Sequence, residues 1–571
     1  MLKPIRLTAL FAIALVVSMV VIACGSDEEE AATPAPTRPP AATTAPAPVA
    51  TTAPAVAPTA TPTRAPTATS APTATPSPKT GGTLRVGAVA PGSSVSPLKI
   101  SLGSTHNMVD TVYSRIVVAD VDDNTKLVGD LAESWQITDN GATYTFKLKT
   151  GVRWHDGKTF TASDAKGSLD SVTRTDQDPF FRGLVTDIAS TEAPDAQTFI
   201  VKLKEGSGTF VARLKQHMVI RKDILDARGD LETNFVGTGP FKFSKFDRNT
   251  TFEAVRNADY FARGVPYLDG ITQFFIADVG LRSAAIRSRN LDIIAISAFF
   301  LLDTAQAIKA GAPQVSLDQI ESDGLLSLLF QTDKAPWGNI NARKAFHLAY
   351  DRQKAVLVAG QGIGKVRILP VFGEFSVPDA DIARLPGFRT PKDADLAEAK
   401  RLWDSVGASR DLTVAIKTIG GRPSQEGIAL IAGDALKSLG VNFRVDPVDV
   451  TSFTADQRTG NYELMAVNAR NLIAPDPAGI GAQFQAAGTT ALNWKLDPRV
   501  AALYQQQNTT TDAAQRVKFV RDLQTLWLEI LPSAPSYADT YVVPRWDYVK
   551  GVKLGIGQYN NQRHDTTWLD R

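Results

Sequence analysis

Five histidines and one cysteine are all the imidazole and thiol chemistry available in 571 residues. His106, His155, His217, His347 and His564 are scattered. None stands in the HExxH spacing that puts two ring nitrogens on one helix face for zinc, and none accompanies a GxSxG elbow that would present a serine nucleophile. Asp120, Asp122 and Asn124 place oxygens at the first, third and fifth positions of a calcium-type loop. The sixth position is Thr125 instead of glycine and the twelfth is Leu131 instead of glutamate, so the stretch reads as a solvated turn. Gly360-Gln-Gly-Ile-Gly364 has dinucleotide-like glycines but follows a helical pattern, which makes it a helix C-cap and turn. Gly237-Thr-Gly-Pro240 precedes a strand pattern, whereas a phosphate cradle needs a helix N-terminus. No catalytic, metal or cofactor motif is assembled, so no enzyme, no metal and no cofactor is expected.

The elements around these residues carry a clearer signal. From Gly129 to Gly157 the chain reads as successive hairpins. Asp139-Asn-Gly141 supplies the residues that accept positive φ in a tight turn. Tyr144, Phe146 and Leu148 alternate with Thr145 and Lys147, the period of a half-buried strand. Thr150-Gly151 turns the chain into a third short strand, Val152 to Trp154, and Ser163 or Asp164 is expected to cap a helix. Farther on, strand and helix patterns alternate: a strand over 412–417, a helix over 425–440, a strand over 441–448. That rhythm indicates a mixed α/β domain with parallel pairing.

The ends of the chain are equally legible. Lys3 and Arg6 precede an uncharged apolar run from Leu7 to Ala23, the layout of a secretory leader. Val21-Ile-Ala-Cys24 resembles the bacterial lipobox, which implies a lipid on Cys24. As the single cysteine, Cys24 leaves no disulfide and no cysteine-ligated metal site. Residues 31–80 are almost wholly Ala, Thr and Pro, too poor in large apolar side chains to offset their conformational entropy. In polyproline-like conformation, at about 3.1 Å per residue, some 50 such residues reach roughly 150 Å, a tether. The formal charge is +2 with Lys and Arg dispersed, so no nucleic-acid footprint is present.

Three blocks carry a specific resemblance. LAESWQITDNGATYTFKLKTGVRWHDG, VGTGPFKFSKFDRNTTFEAVRNADYF and FQTDKAPWGNINARKAFHLAYDR, in that order, resemble the bacterial extracellular solute-binding proteins of family 5, the dipeptide- and oligopeptide-type components of ABC importers. The resemblance implies a two-lobed α/β periplasmic-binding-protein (venus-flytrap) fold, class II-like, with an extra small domain in the first lobe. It gives these expected boundaries: leader 1–23; lipidated cysteine and tether 24–80; lobe I 81–118, 235–320 and 532–571; inserted domain 119–234; lobe II 321–531. Crossings between lobes are expected near 310–325 and 530–535. The implied function is capture of a small solute for permease subunits, by a monomer held at the outer face of the cell membrane. A ligand-sensing lipoprotein of the same fold without transport is the alternative, and a secreted enzyme the more remote one.

The same resemblance nominates contacts. Arg422-Pro423 is similar to the Arg-Pro at the position where dipeptide binders hold the peptide carboxylate, a task that suits a guanidinium fork. Peptide binders place an aspartate shortly before the Asp-Pro that LMAVNARNLIAPDP matches, as counter-charge for the α-ammonium. Here Asn468, Ala469, Arg470 and Asn471 stand instead. An unpaired buried ammonium costs several kcal/mol, so a ligand with acceptor groups and no obligatory free amine is expected, contacted by Arg422, Arg470, Asn468 and Asn471. Ser104, Thr105, His106 and Asn107 would come from a loop facing the cleft, and Phe299 and Phe300 would be its apolar walls.

Overall fold

The computed structural model describes residues 77–99, 103–120, 122–123, 126–173, 185–227, 229–409, 411–471, 473–483, 497–555 and 562–571, all within the unit Thr75–Arg571. The leader, Cys24 and the tether through residue 76 lie outside the described residues, as does Leu472.

Strand β1 (Thr83–Ala88) buries Leu84, Val86 and Ala88. Helix α1 (Gly103–Val109) follows, with every residue buried. The sequence pattern places a loop at 101–107 and a helix from 108 to 117. The difference has a physical cause: two of the polar side chains that suit a loop, Thr105 and Asn107, accept hydrogen bonds from distant backbone inside the fold. Thr105 Oγ1 accepts from Gly92 N at 3.0 Å, and Asn107 Oδ1 accepts from Ser297 N at 3.2 Å.

Strands β2 (Ala132–Thr138), β3 (Thr143–Leu148), β4 (Ile188–Glu192) and β5 (Thr198–Leu203) form a separate antiparallel sheet in the order β2-β3-β5-β4. Tyr144, Phe146 and Leu148 point into its core, and Asp139, Asn140 and Gly141 all take positive φ in the turn. Helix α2 (Ala162–Thr173) packs on this sheet. The Asp164 carboxylate accepts from Thr161 N at 2.9 Å, which satisfies an N–H that the first turn leaves free. The expected third strand shrinks to one bridge, Arg153 to Thr159, because the turn at Gly157 reverses the chain too soon for more pairing.

The chain then returns to the first sheet through β6 (Phe241–Asp247), β7 (Thr251–Arg256), β8 (Gly270–Phe275) and β9 (Ile293–Ile294). Strand β1 lies between β8 and β9, parallel to both. Gly237 is needed for close approach, since a Cβ there would sit 2.0 Å from the Val112 carbonyl oxygen.

Strand β10 (Val315–Phe330) is sixteen residues long. Only its Leu325–Phe330 end is evident in the sequence, because Asp318, Gln319, Glu321 and Asp323 break the apolar run. The sequence pattern over 341–359 reads as one helix, and the chain forms two, Ile340–Ala349 and Arg352–Val358. Asp351 divides them by capping the second, accepting from Lys354 N at 2.9 Å. Next come β11 (Thr413–Ile419), α3 (Pro423–Ser438), β12 (Asn442–Val448), α4 (Val450–Thr459), β13 (Leu464–Arg470) and β14 (Ser533–Trp546). Strands β11 and β12 pair in parallel around α3, as the rhythm predicts.

One sheet unites both halves, in the order β12-β11-β13-β10-β14-β9-β1-β8-β7-β6. It serves two cores. Val315, Ile320, Tyr541 and Val542 belong to the core around β1 and Phe241. Leu326, Leu328, Ala534 and Tyr537 belong to the core around Trp337 and Ile428. The chain therefore changes core between Ile320 and Leu326 on β10, and between Tyr537 and Tyr541 on β14. The second crossing lies in mid-strand, several residues after the break expected near 530–535. Pairing between β10 and β14 is irregular between Glu321 and Leu325 and again between Leu325 and Ser327.

Candidate functional site

A cavity of about 600 Å³ opens where β10 and β14 pass between the two cores. Tyr537, Asp539 and Tyr541 share one face of β14 by the period of two. Tyr537 is buried in the second core and Tyr541 in the first, which leaves Asp539 between them to line the cavity. The Tyr541 ring stacks on Phe299, with centroids 4.2 Å apart and planes at 28°, and its hydroxyl accepts from Ser322 Oγ at 3.0 Å. Phe300 is fixed by donation of its N–H to Val542 O at 3.1 Å. Across the cavity stand Phe453, Thr454 and Gln457 of α4, and the start of α3. Gln425 ties α3 to β13 through its amide, which donates to Ala466 O at 2.9 Å.

The charges differ in their commitments. Arg470 Nη2 lies 2.7 Å from each oxygen of Asp323, a residue that is 1% exposed. This pair is built into the register, since Gly324 opposes Arg470 on β10 and β13. Arg422 is exposed at the N-terminus of α3, and its side chain makes no hydrogen bond or ion pair with any described residue. Asp539 makes no ion pair with a described residue, and burial pushes its carboxyl up to about 6, opposed by the Ser424 and Tyr537 hydroxyls.

Of the residues nominated from sequence, Arg422, Arg470, Asn468, Phe299 and Phe300 come together around this cavity. Asn471 does not. It is fully buried, and its amide donates to Pro370 O at 3.1 Å and Asp476 O at 3.0 Å. Ser104, Thr105, His106 and Asn107 do not line it either. They sit inside α1, where Asn107 holds the turn just before Phe299 from behind. Burial lowers the His106 pKa to about 4, so the ring is neutral at neutral pH. Asp476 is also removed from the cavity, paired with Arg516 at 3.0 Å. The expected lack of a carboxylate over 468–471 holds for that segment, but Asp539 brings one to the cavity from β14. Sequence reasoning missed it, along with Tyr541, Ser424 and Gln425. The available signal was a lone charged residue inside the otherwise uncharged run Ser533–Val543.

Among the described residues, no helix is long and apolar enough to cross a membrane and no cluster of side chains could hold a metal ion. Comparison with known proteins accounts for this architecture. A Brucella ovis protein named as an ABC transporter peptide-binding protein is 26% identical over 430 residues, which span 71% of this chain and 77% of that protein. The crystal structure of the ABC transporter substrate-binding protein CtaP from Listeria monocytogenes matches with a TM-score of 0.76 at 21% identity, over 86% of this chain and all of that one. The binding protein AgaA of A. tumefaciens, solved with agropinic acid, matches with a TM-score of 0.69 at 21% identity, over 86% of this chain and 99% of that one. The fold is the two-lobed periplasmic-binding-protein fold. The model for the bacterial extracellular solute-binding proteins, family 5, matches residues 126–490, and this chain belongs to that family.

Proposed function

We propose that this solute-binding protein of an ABC importer captures a small solute bearing a carboxylate or similar acceptor in the cavity between its lobes. Arg422 takes the acceptor, Asn468 and Gln425 offer hydrogen bonds, and the stacked Phe299 and Tyr541 rings form the apolar wall. The observation that carries this reading is the contrast in commitment around one cavity. Arg470 is neutralised by Asp323, while the Arg422 guanidinium projects from the start of α3 with no partner among the described residues. A cavity of this size is in the range of roughly 300–1,000 Å³ typical of small-molecule sites. The peptide named for the Brucella relative supports a solute of peptide-like chemistry. A lipid on Cys24 and the segment 24–80 hold the folded part at the outer face of the membrane, where it hands the solute to permease subunits as a monomer.

Mass spectrometry of denatured, freshly purified protein identifies the copurified solute, and calorimetry with that solute measures its affinity. The expected result is an acceptor-bearing molecule bound unchanged, with affinity lost in Arg422→Ala. A bound solute whose affinity is the same in Arg422→Ala overturns the role of Arg422. Separately, Cys24→Ser is expected to abolish fatty-acid labelling; full labelling of that variant excludes the anchor.

A further inference from the structure

Asp539 is the only acidic side chain among the described residues that line the cavity. Its position is unusual for an acid. On β14 it lies between Tyr537 and Tyr541, both nearly inaccessible, and next to Ala538, which is 2% exposed. A carboxylate taken out of water without a cation costs several kcal/mol, and acids in such surroundings cluster at functional sites.

The charged groups nearby are committed to one another. On the strand segment Lys365–Val366, which pairs with β14 at Ala538 and Tyr537, Lys365 Nζ binds Glu321 at 3.0 Å. On β10, Glu321 also accepts from Arg367 Nε at 3.2 Å. Asp323 is occupied by Arg470 of β13. From α3, Ser424 is the group that meets Asp539, and no ion pair joins Arg422 to it. Two charges of opposite sign therefore remain without an ionic partner among the described residues around one cavity: Arg422, exposed at its rim, and Asp539, partly buried on the crossing strand.

We infer that Asp539 is a specificity-determining residue that accepts a cationic hydrogen-bond donor of the solute, an ammonium or a guanidinium, so that the cleft selects small zwitterions. This rests on the reading of the cavity as the solute site and narrows the solute's chemistry. The counter-charge for the amine comes from the strand that links the lobes, not from the segment before Asp476. An incoming cation meets a carboxyl that burial has made reluctant to ionise. Affinity for the amine therefore falls as the pH drops below about 6.

The test is calorimetry on the full folded protein at pH 7.5, with unblocked dipeptides and amino acids, their N-acetyl forms and their C-terminal amides as probes. The expected result is that at least one unblocked probe binds about tenfold or more tightly than its N-acetyl form. In Asp539→Asn that ratio falls to near one, with the N-acetyl affinity unchanged within about threefold, and Asp539→Glu restores part of it. Thermal unfolding of each variant confirms that it is folded. Equal binding of unblocked and N-acetyl probes to the wild type overturns the inference, as does a preference that survives in Asp539→Asn or the failure of every unblocked probe to bind. If N-acetyl carboxylates bind with dependence on Arg422 while the amine contributes nothing, this inference falls and the broader reading stands. If the copurified solute is retained undiminished by both Arg422→Ala and Asp539→Asn, both fall.

Discussion

Arg470 and Arg422 border the same cavity, are the same residue type, and are equally prominent in the sequence, yet they sit in opposite electrostatic situations. Arg470 lies on a strand whose register presents it to Asp323. Arg422 makes no side-chain cap: it precedes Pro423 at the start of α3, exposed and with no described partner. The first guanidinium holds β10 to β13 and has little left to offer a ligand. The second costs the fold almost nothing and retains its full hydrogen-bonding capacity. Lining a cavity is therefore a weaker statement than being available in it, and what separates the two is the partner on the neighbouring strand.

The sharpest way to break this comparison is Asp323→Ala. Removing one partner of a buried ion pair costs about 3–5 kcal/mol, and because the Arg470 side chain is 26% exposed the expected loss here is smaller, about 2–3 kcal/mol by chemical denaturation. A loss under about 0.5 kcal/mol, the range of ordinary surface substitutions, would show that the pair is not structural. Arg422→Ala should have the complementary profile: a loss of about 2 kcal/mol in solute binding, roughly thirtyfold, with stability within about 0.5 kcal/mol of wild type. Asp539→Asn should raise stability. The Asp539 pKa stands at about 6 in the folded protein against an ordinary 3.8. The native state therefore holds the extra proton between these values, and stability drops as pH rises through that window. Asparagine removes the penalty, so the gain should be between about 1 kcal/mol and the upper bound of about 3 kcal/mol that a rise from 3.8 to about 6 sets at pH 8, and should nearly vanish by pH 4, as measured by denaturation across that range. The smallest effect is expected at Lys354, whose half-exposed ion pair with Asp434 measures 2.7 Å: Lys354→Ala should cost no more than about 0.5 kcal/mol.

Much of the fold was readable from local pattern. The alternation Tyr144-Phe146-Leu148 and the parallel pair around α3 depend on residues close in sequence, and both appear as read. The misreadings came where long-range partners decide. Ser104 to Asn107 look like loop because nothing local shows that Gly92 and Ser297 will hydrogen-bond to them. Asn471 reads as a cleft contact until Pro370, a hundred residues away, claims its amide. Asp539 was overlooked for the converse reason. An acid in a strand reads as surface, and only the flanking buried tyrosines show that it is not. The nominated residues that reached the cavity did so through motif position, which carries tertiary information that periodicity lacks.

Strands β10 and β14 pass without interruption from one core to the other, paired along most of their length and irregular only around Glu321 to Ser327. The lobes are thus joined by a ribbon and not by slack loops. Any rotation between them must be absorbed as extra twist in a few residue pairs of a structure that already resists untwisting. A ribbon of this kind has only its irregular pairs, from Glu321 to Ser327, at which a change of twist costs little regular pairing. Adding or removing a residue there would change the register of the crossing strands, and with it the angle at which one lobe is presented to the other, without altering a residue that lines the cavity elsewhere.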